Sequence, residues 1–226
     1  MQLAIDDFSV AILVLGALAI IFLLNYYFND DQRIRRILKA HKKRAVNSIQ
    51  NKQTARLHGR ALHVNQPLIA PFSGRECIYY QVIIQEKSKN GWSTVVRESN
   101  WQDFFIKSDD EMALIKAPKH KGGVRLFLVK DHEQHSDWGK AATDRLEQFL
   151  KKHNRSSKTL FNLLSRSLRY KEGIVALNEK VTVVGQAQWK SLSDPIEGYS
   201  YSKILTLSSS EKQRLIITDN PKHHRI

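Results

Sequence analysis

The sequence predicts an α+β fold: a mainly antiparallel β domain with one or two inserted helices, preceded by one N-terminal transmembrane helix. Three observations lead there. Residues 8–28 form an apolar run without a charge. Residues 54–221 alternate short aromatic and β-branched runs with turn signals. Within them, 137–152 switches to an apolar period of three to four.

The run at 8–28 reads FSVAILVLGALAIIFLLNYYF, close to the roughly 20 residues that span a bilayer as a helix. Asn25 is its one strongly polar side chain, and Tyr26, Tyr27 and Phe28 sit where an aromatic belt meets headgroups. A cleaved signal peptide wants a basic start and a small-x-small exit. Here Asp6 and Asp7 precede the run and Leu24-Asn25-Tyr26 closes it. The mean hydropathy of -0.42 confines the membrane character to this stretch.

Charge sets the orientation. Of a net +14, ten Lys and Arg against two Asp fall between Asn29 and Arg60, directly after the apolar run. The positive-inside rule puts the N-terminus outside and the remainder on the cytoplasmic side. Over 31–50, Ile34, Ile37, Leu38, Ala45 and Ile49 recur at helical spacing among basic residues. Arg33, Arg35, Arg36, Lys39, Lys42, Lys43 and Arg44 are the candidate contacts to anionic lipid headgroups, each worth about 1 kcal/mol when well placed. A solvated helical stalk that only sets topology explains the same pattern.

Beyond Gln53 the expected strands are 56–64, 77–86, 92–98, 104–107, 124–129, 168–177, 180–190, 201–207 and 214–218. Asn90-Gly91 is a hairpin signal. Trp138, Ala142, Leu146, Phe149 and Leu150 form a helical stripe, and a second helix is expected over 157–164. The implied organisation is a tail at 1–7, the membrane helix at 8–28, a basic juxtamembrane linker at 29–53, the β-rich domain at 54–221 and a tail at 222–226.

Signals for catalysis, cofactors or metals are weak. There is no P-loop, GxGxxG or GxSxG. The single cysteine, Cys77, excludes an internal disulfide and the roughly eight Cys/His ligands of a RING-type zinc module. It lies in a strand-like run, which favours a buried structural thiol over a nucleophile. The cluster 131–135 does not match HExxH and reads as a solvated loop; His223-His224 reads as a disordered tail. The basic charge gathers beside the apolar run rather than among the scattered Trp92, Trp101, Trp138 and Trp189, which weighs against nucleic acid as partner.

Several motifs together resemble the GIDE domain, also called the beside-a-membrane domain. They are Gly59-Arg60-Ala61, then Leu68, Pro71-Phe72-Ser73-Gly74 and Cys77-Ile78-Tyr79-Tyr80; Phe104-Phe105-Ile106 with Asp109; Glu172-Gly173-Ile174-Val175; and Val181-Thr182-Val183-Val184-Gly185. In its best-known members this domain accompanies a C-terminal RING finger in mitochondrial membrane-bound ubiquitin ligases. The resemblance implies a membrane-adjacent recognition or regulatory module with a protein partner. A RING-type E3 ubiquitin transferase is the alternative that family transfer raises, though its zinc ligands are missing here, and an enzyme with an unrecognised site is a third. The single-anchor layout is similar to bacterial members and points to a bacterial inner membrane.

Glu172 stands at the family's glutamate position. By strand alternation it shares a face with Tyr170 and Ile174. A carboxylate there needs a partner, because an unpaired buried charge costs several kcal/mol. The expected role is a structural tie, with Arg60, Arg75 or Arg97 as partner; a ligand contact in a cleft is the alternative.

Overall fold

The computed structural model describes residues 7–64, 66–108, 110–118, 121–128, 132–136, 143–158, 166–192, 199 and 201–224. It begins with helix α1 (Asp7–Phe28), apolar around its whole circumference. Among the described residues, no helix is long and apolar enough to cross a membrane. The side chains of α1 are described without a break over 12–23 alone, about 18 Å of helix at 1.5 Å per residue. The expected span 8–28 therefore rests on the sequence.

Only Asn29 separates α1 from α2 (Asp30–Ala40). Asn29 caps α2 by accepting the Asp31 amide at 2.9 Å, and Asp30 and Asp31 complement the helix dipole. Helix α2 stops where His41 turns extended. The helix expected over 31–50 is thus corrected to its first half. Lys43 instead forms a parallel bridge to Arg56, a short 3₁₀ turn covers Val46–Ser48, and Val46 and Ile49 enter the domain core.

Twelve strands follow: β1 (Thr54–His63), β2 (Leu68–Ile69), β3 (Glu76–Ser88), β4 (Gly91–Trp101), β5 (Phe104–Ser108), β6 (Glu111–Ile115), β7 (Val124–Phe127), β8 (His132–Ser136), β9 (Leu168–Ala176), β10 (Lys180–Ser191), β11 (Lys203–Ser208) and β12 (Leu215–Thr218). Helix α3 (Asp144–Lys152) lies between β8 and β9, with Thr143 as its cap. The coarse α+β prediction, mostly strands with a few helices, is what the chain adopts. Strands β2 and β6 are additions to the expected set. The cluster 131–135, expected as a loop, is corrected: 132–136 is β8, paired antiparallel with β9. Asp109, Trp138, Ala142 and most of 157–164 lie outside the described residues.

Strands β1, β5, β6, β11 and β10 close into a five-stranded barrel, since β10 pairs back onto β1. Every pairing in the ring is antiparallel except β6 with β11. Numbered within the ring this is 1-2-3-5-4-1, the connectivity of an OB-type barrel. Strand β12 adds to the outside of β10 and carries β7. The interior is filled by Leu57, Ala61, Phe104, Ile106, Val181, Val183 and Leu205 among others.

The second sheet has β3 at its centre, with β9 on one edge and β4 and β2 on the other, and β8 beyond β9. One face packs under α3 through Leu146, Phe149 and Leu150. A bulge between Cys77 and Tyr79 joins the two cores. It turns the consecutive Ile78 and Tyr79 toward the barrel, while Cys77 and Tyr80 stay with the second core.

Strand β1 changes partner midway. Thr54 to Arg60 pair with β10, and Arg60 to His63 pair with β5. Gly59 stands at the changeover, where an added Cβ would come within 2.1 Å of the Lys107 carbonyl oxygen. Replacing Gly59 by Ala should lower stability by about 1–3 kcal/mol, the usual cost of forcing extra volume into a packed site. Gly16→Ala, where nothing lies within 4 Å, should not destabilise; denaturant melts of both variants provide the comparison.

Candidate functional site

Glu172 sits mid-strand in β9, 1% exposed, on the face it shares with Tyr170 and Ile174. Its carboxylate accepts the main-chain amides of Phe72 and Ser73 at 2.8 and 2.9 Å. The partner is therefore the tight turn between β2 and β3, which corrects the expectation of an arginine. Arg60 is engaged elsewhere, donating to the Asn178 carbonyl at 2.9 Å. Two parts of the motif pattern, Pro71-Phe72-Ser73-Gly74 and Glu172, thus meet in space. Gly74 completes the turn at φ 70 and donates to the Ala70 carbonyl at 2.9 Å. Arg145 of α3 donates to the Phe72 carbonyl, and the Phe72 ring packs against Tyr170 and Phe149 at 4.5 and 5.2 Å. The carboxylate is consumed by this clasp, so its chemistry is structural.

Next to the clasp, Glu98 ties three elements together. It accepts from Tyr80 Oη at 2.6 Å and from Lys152 Nζ at 3.0 Å, and its Oε2 lies 2.8 Å from His153 Nε2. Burial opposes its charge, but these hydrogen bonds outweigh it and hold the carboxyl below its ordinary range. Burial and the Glu98 contact push the Tyr80 phenol up to about 12. Cys77 is fully buried, and burial followed by the Glu172 charge pushes its thiol up to about 12. That is the setting of an inert thiol.

The lipid-contact candidates divide. Ile34 and Leu38 of α2 are buried against Phe127, Val184 and Ile216, so the apolar face of α2 docks on the barrel instead of lying free for a membrane. Arg33, Lys39, Lys42, Lys43 and Arg44 are exposed. Arg35 pairs with Asp31 at 2.9 Å. Arg36 donates to the Tyr27 carbonyl at 3.0 Å and lies over the Tyr26 and Tyr27 rings at 5.6 and 5.2 Å, which braces the α1–α2 elbow.

The residue that holds α2 in place is one the sequence patterns did not single out. Arg56, on β1, is 2% exposed. Its Nη1 donates to the Leu38 carbonyl at 3.1 Å and its Nη2 to the His223 carbonyl at 3.5 Å. A cation at the C-terminal end of α2 also suits the helix dipole. His223, expected in a disordered tail, is 2% exposed: its Nε2 is 2.7 Å from Asp31 Oδ1 and its Nδ1 3.2 Å from Thr218 Oγ1. The hydrogen bond to His223, with help from Arg35, holds the Asp31 carboxyl below the usual range. Residues 29–53 and 222–224 are therefore built into the folded unit. The one signal available was Arg56 in a strand pattern otherwise alternating small and apolar inward residues, which places a cation where a cover is needed.

Among the described residues, no group of three or more His, Cys, Asp and Glu side chains is placed to hold a metal ion. Comparison with family models, with curated proteins and with solved structures finds no match.

Two predictions follow from these contacts. Glu172→Gln should lower stability by about 1–3 kcal/mol, as loss of a charge-assisted bond to buried amides does, and should speed protease cleavage within 70–75. The second concerns pH. The His58 ring lies 4.6 Å from that of His224, tilted to it, and burial, followed by His224 and the neighbouring cations, depresses His58 to about 4. The unfolded chain binds a proton near pH 6.5 that the folded chain refuses until about 4. Stability should hold above pH 6.5 and fall as pH drops from there to about 4. Melts of His58→Gln should show a shallower decline over that window.

Proposed function

We propose that the chain is a membrane-anchored binding or scaffold module of the GIDE, or beside-a-membrane, type. Helix α1 spans the bilayer with its N-terminus outside, and the β domain stands on the cytoplasmic side. The observation that carries this reading is the surface of α1. Ten large apolar side chains between Val10 and Leu23 are 45–71% exposed, on every side of the helix. A helix apolar all round belongs inside a protein core or a bilayer, and among the described residues nothing covers these side chains. The exposed cations Arg33, Lys39, Lys42, Lys43 and Arg44 begin one turn past its end, as the positive-inside rule asks of a cytoplasmic flank.

The binding role is supported by where the ionisable groups stand. Glu172, Glu98, Arg56 and Asp31 are each spent on holding elements together. The partner is an unidentified protein, with anionic headgroups contacted by the flank beside the elbow. RING-type ubiquitin-ligase activity of this chain alone would require tightly bound stoichiometric zinc, and elemental analysis of the purified chain decides that.

The anchor is tested by alkaline carbonate extraction of membranes that contain the full chain. The chain should stay in the pellet, and release into the supernatant would refute the span. A reporter fused after Ile226 should work only if it matures in the cytoplasm. Replacing Arg33, Lys39, Lys42, Lys43 and Arg44 with Gln should raise the inverted fraction several-fold, because the cationic bias sets topology. An unchanged orientation would remove the charge argument.

A further inference from the structure

The outer face of the barrel carries a row of like charges. Lys180 on β10 stands directly opposite Arg60 on β1, and Arg60 stands directly opposite Lys107 on β5. Directly opposed positions place side chains about 4.5–5.5 Å apart at Cβ, and like charges so placed are destabilising. Three strands in sequence therefore present three cations in register. Arg60 and His58 share the outward face of β1, since Leu57, Gly59 and Ala61 point into the barrel. Lys43 arrives from the segment after α2 through its bridge to Arg56.

These groups line one surface hollow of about 580 Å³, closed at its side by Asn178. Among the described residues, none that lines it is a carboxylate. Four other hollows each include at least one: Glu111 in the first, Asp110 and Glu111 in the second, Asp103 and Glu211 in the third and Glu172 in the fourth. Among the described residues, Lys107 and Lys180 form no ion pair, and the Arg60 guanidinium donates to the Asn178 carbonyl. Lys43 also borders the hollow that holds Asp110 and Glu111, so the core of the cluster is the row itself.

We propose that this hollow is a binding site for a phosphate group, held by Arg60, Lys107 and Lys180 with Lys43 at its rim. The charge and shape of the site select that chemistry. One carboxylate would leave the row mostly uncompensated, whereas a phosphate group brings up to two charges and three strong acceptor oxygens. The Arg60 fork and two lysine point charges match such a ligand. Among the described residues the lining has no Phe, Tyr or Trp on which a base could stack, which disfavours single-stranded nucleic acid. The field of the cluster is already felt by His58, which Lys43, Arg56 and Lys180 help to keep neutral. The site stands whether or not α1 crosses a bilayer.

The test uses the full chain in zwitterionic detergent, with inorganic pyrophosphate titrated at constant ionic strength against chloride. Pyrophosphate should raise Tm saturably by several degrees. The double variant Lys107→Gln/Lys180→Gln should melt above the parent without the anion, because the repulsion is gone, and should bind pyrophosphate at least tenfold more weakly. Lys87→Gln/Lys89→Gln, at the far hairpin, removes the same charge and should change neither. A Tm rise no larger than that from chloride, an equal loss in the hairpin variant, or a row variant that melts below the parent would each overturn the proposal. Repeating the titration in nanodiscs identifies the source of the phosphate. Pyrophosphate binding weakened by phosphatidic acid relative to phosphatidylcholine alone assigns a lipid phosphate, and unchanged binding assigns a soluble one; both support the site.

Discussion

Closure of the barrel depends on β1 exchanging one partner for another within a single residue. Arg60 pairs on one edge with Lys180 and on the other with Lys107, so three strands must come together at one point. The approach is possible because Gly59 has no Cβ to meet the Lys107 carbonyl. Everything else hangs on that changeover. It brings β10 and β5 onto the two edges of β1, whose inward Leu57 and Ala61 fill the interior. It also forces Arg60, Lys107 and Lys180 into a common row.

The second sheet is joined to this frame by two different devices. The bulge after Cys77 shifts the alternation so that one strand supplies both cores. The Glu172 carboxylate then fixes the turn that leads into that strand, using two main-chain amides as partners. Charge-to-amide bonds of this kind need no second long side chain to be ordered, which keeps their entropic cost below that of a carboxylate–arginine pair. The same economy recurs where Glu111 accepts the Val46 and Asn47 amides at 2.7 and 3.3 Å.

Arg56 connects the frame to the N-terminal helices. It reaches the end of α2 and the carbonyl of His223 from a position that is almost wholly buried. Because His223 in turn meets Asp31 at the start of α2, both ends of the helix are held by the same small cluster. The consequence for function is geometric. Helix α2 is a rigid part of the domain, so α1 leaves the domain in a set direction through an elbow braced by Arg36. Under the anchoring proposed above, a module carried this way would present a defined face to the bilayer.

The α+β class, nine of the twelve strands, the apolar α1 and the basic flank after it were legible in the sequence, because each rests on local periodicity or composition. The burial of Glu172 and Cys77 was legible for the same reason: alternation alone puts a residue on a face. The partner of Glu172 was not, since a backbone amide looks identical in every residue and only the fold decides which ones are free. Nor was the end of α2 at Ala40, because helical spacing continues through Ile49 while the barrel core, competing for Val46 and Ile49, takes them instead. His223 read as tail for want of a local pattern, yet Asp31 and Arg56 converge on it from two distant segments and Thr218 from the strand just before it. The row of Lys180, Arg60 and Lys107 belongs wholly to the tertiary structure. Strand register, set by the packing of inward side chains, decides which outward charges face one another, and in the sequence neighbours in that row stand 120 and 47 positions apart.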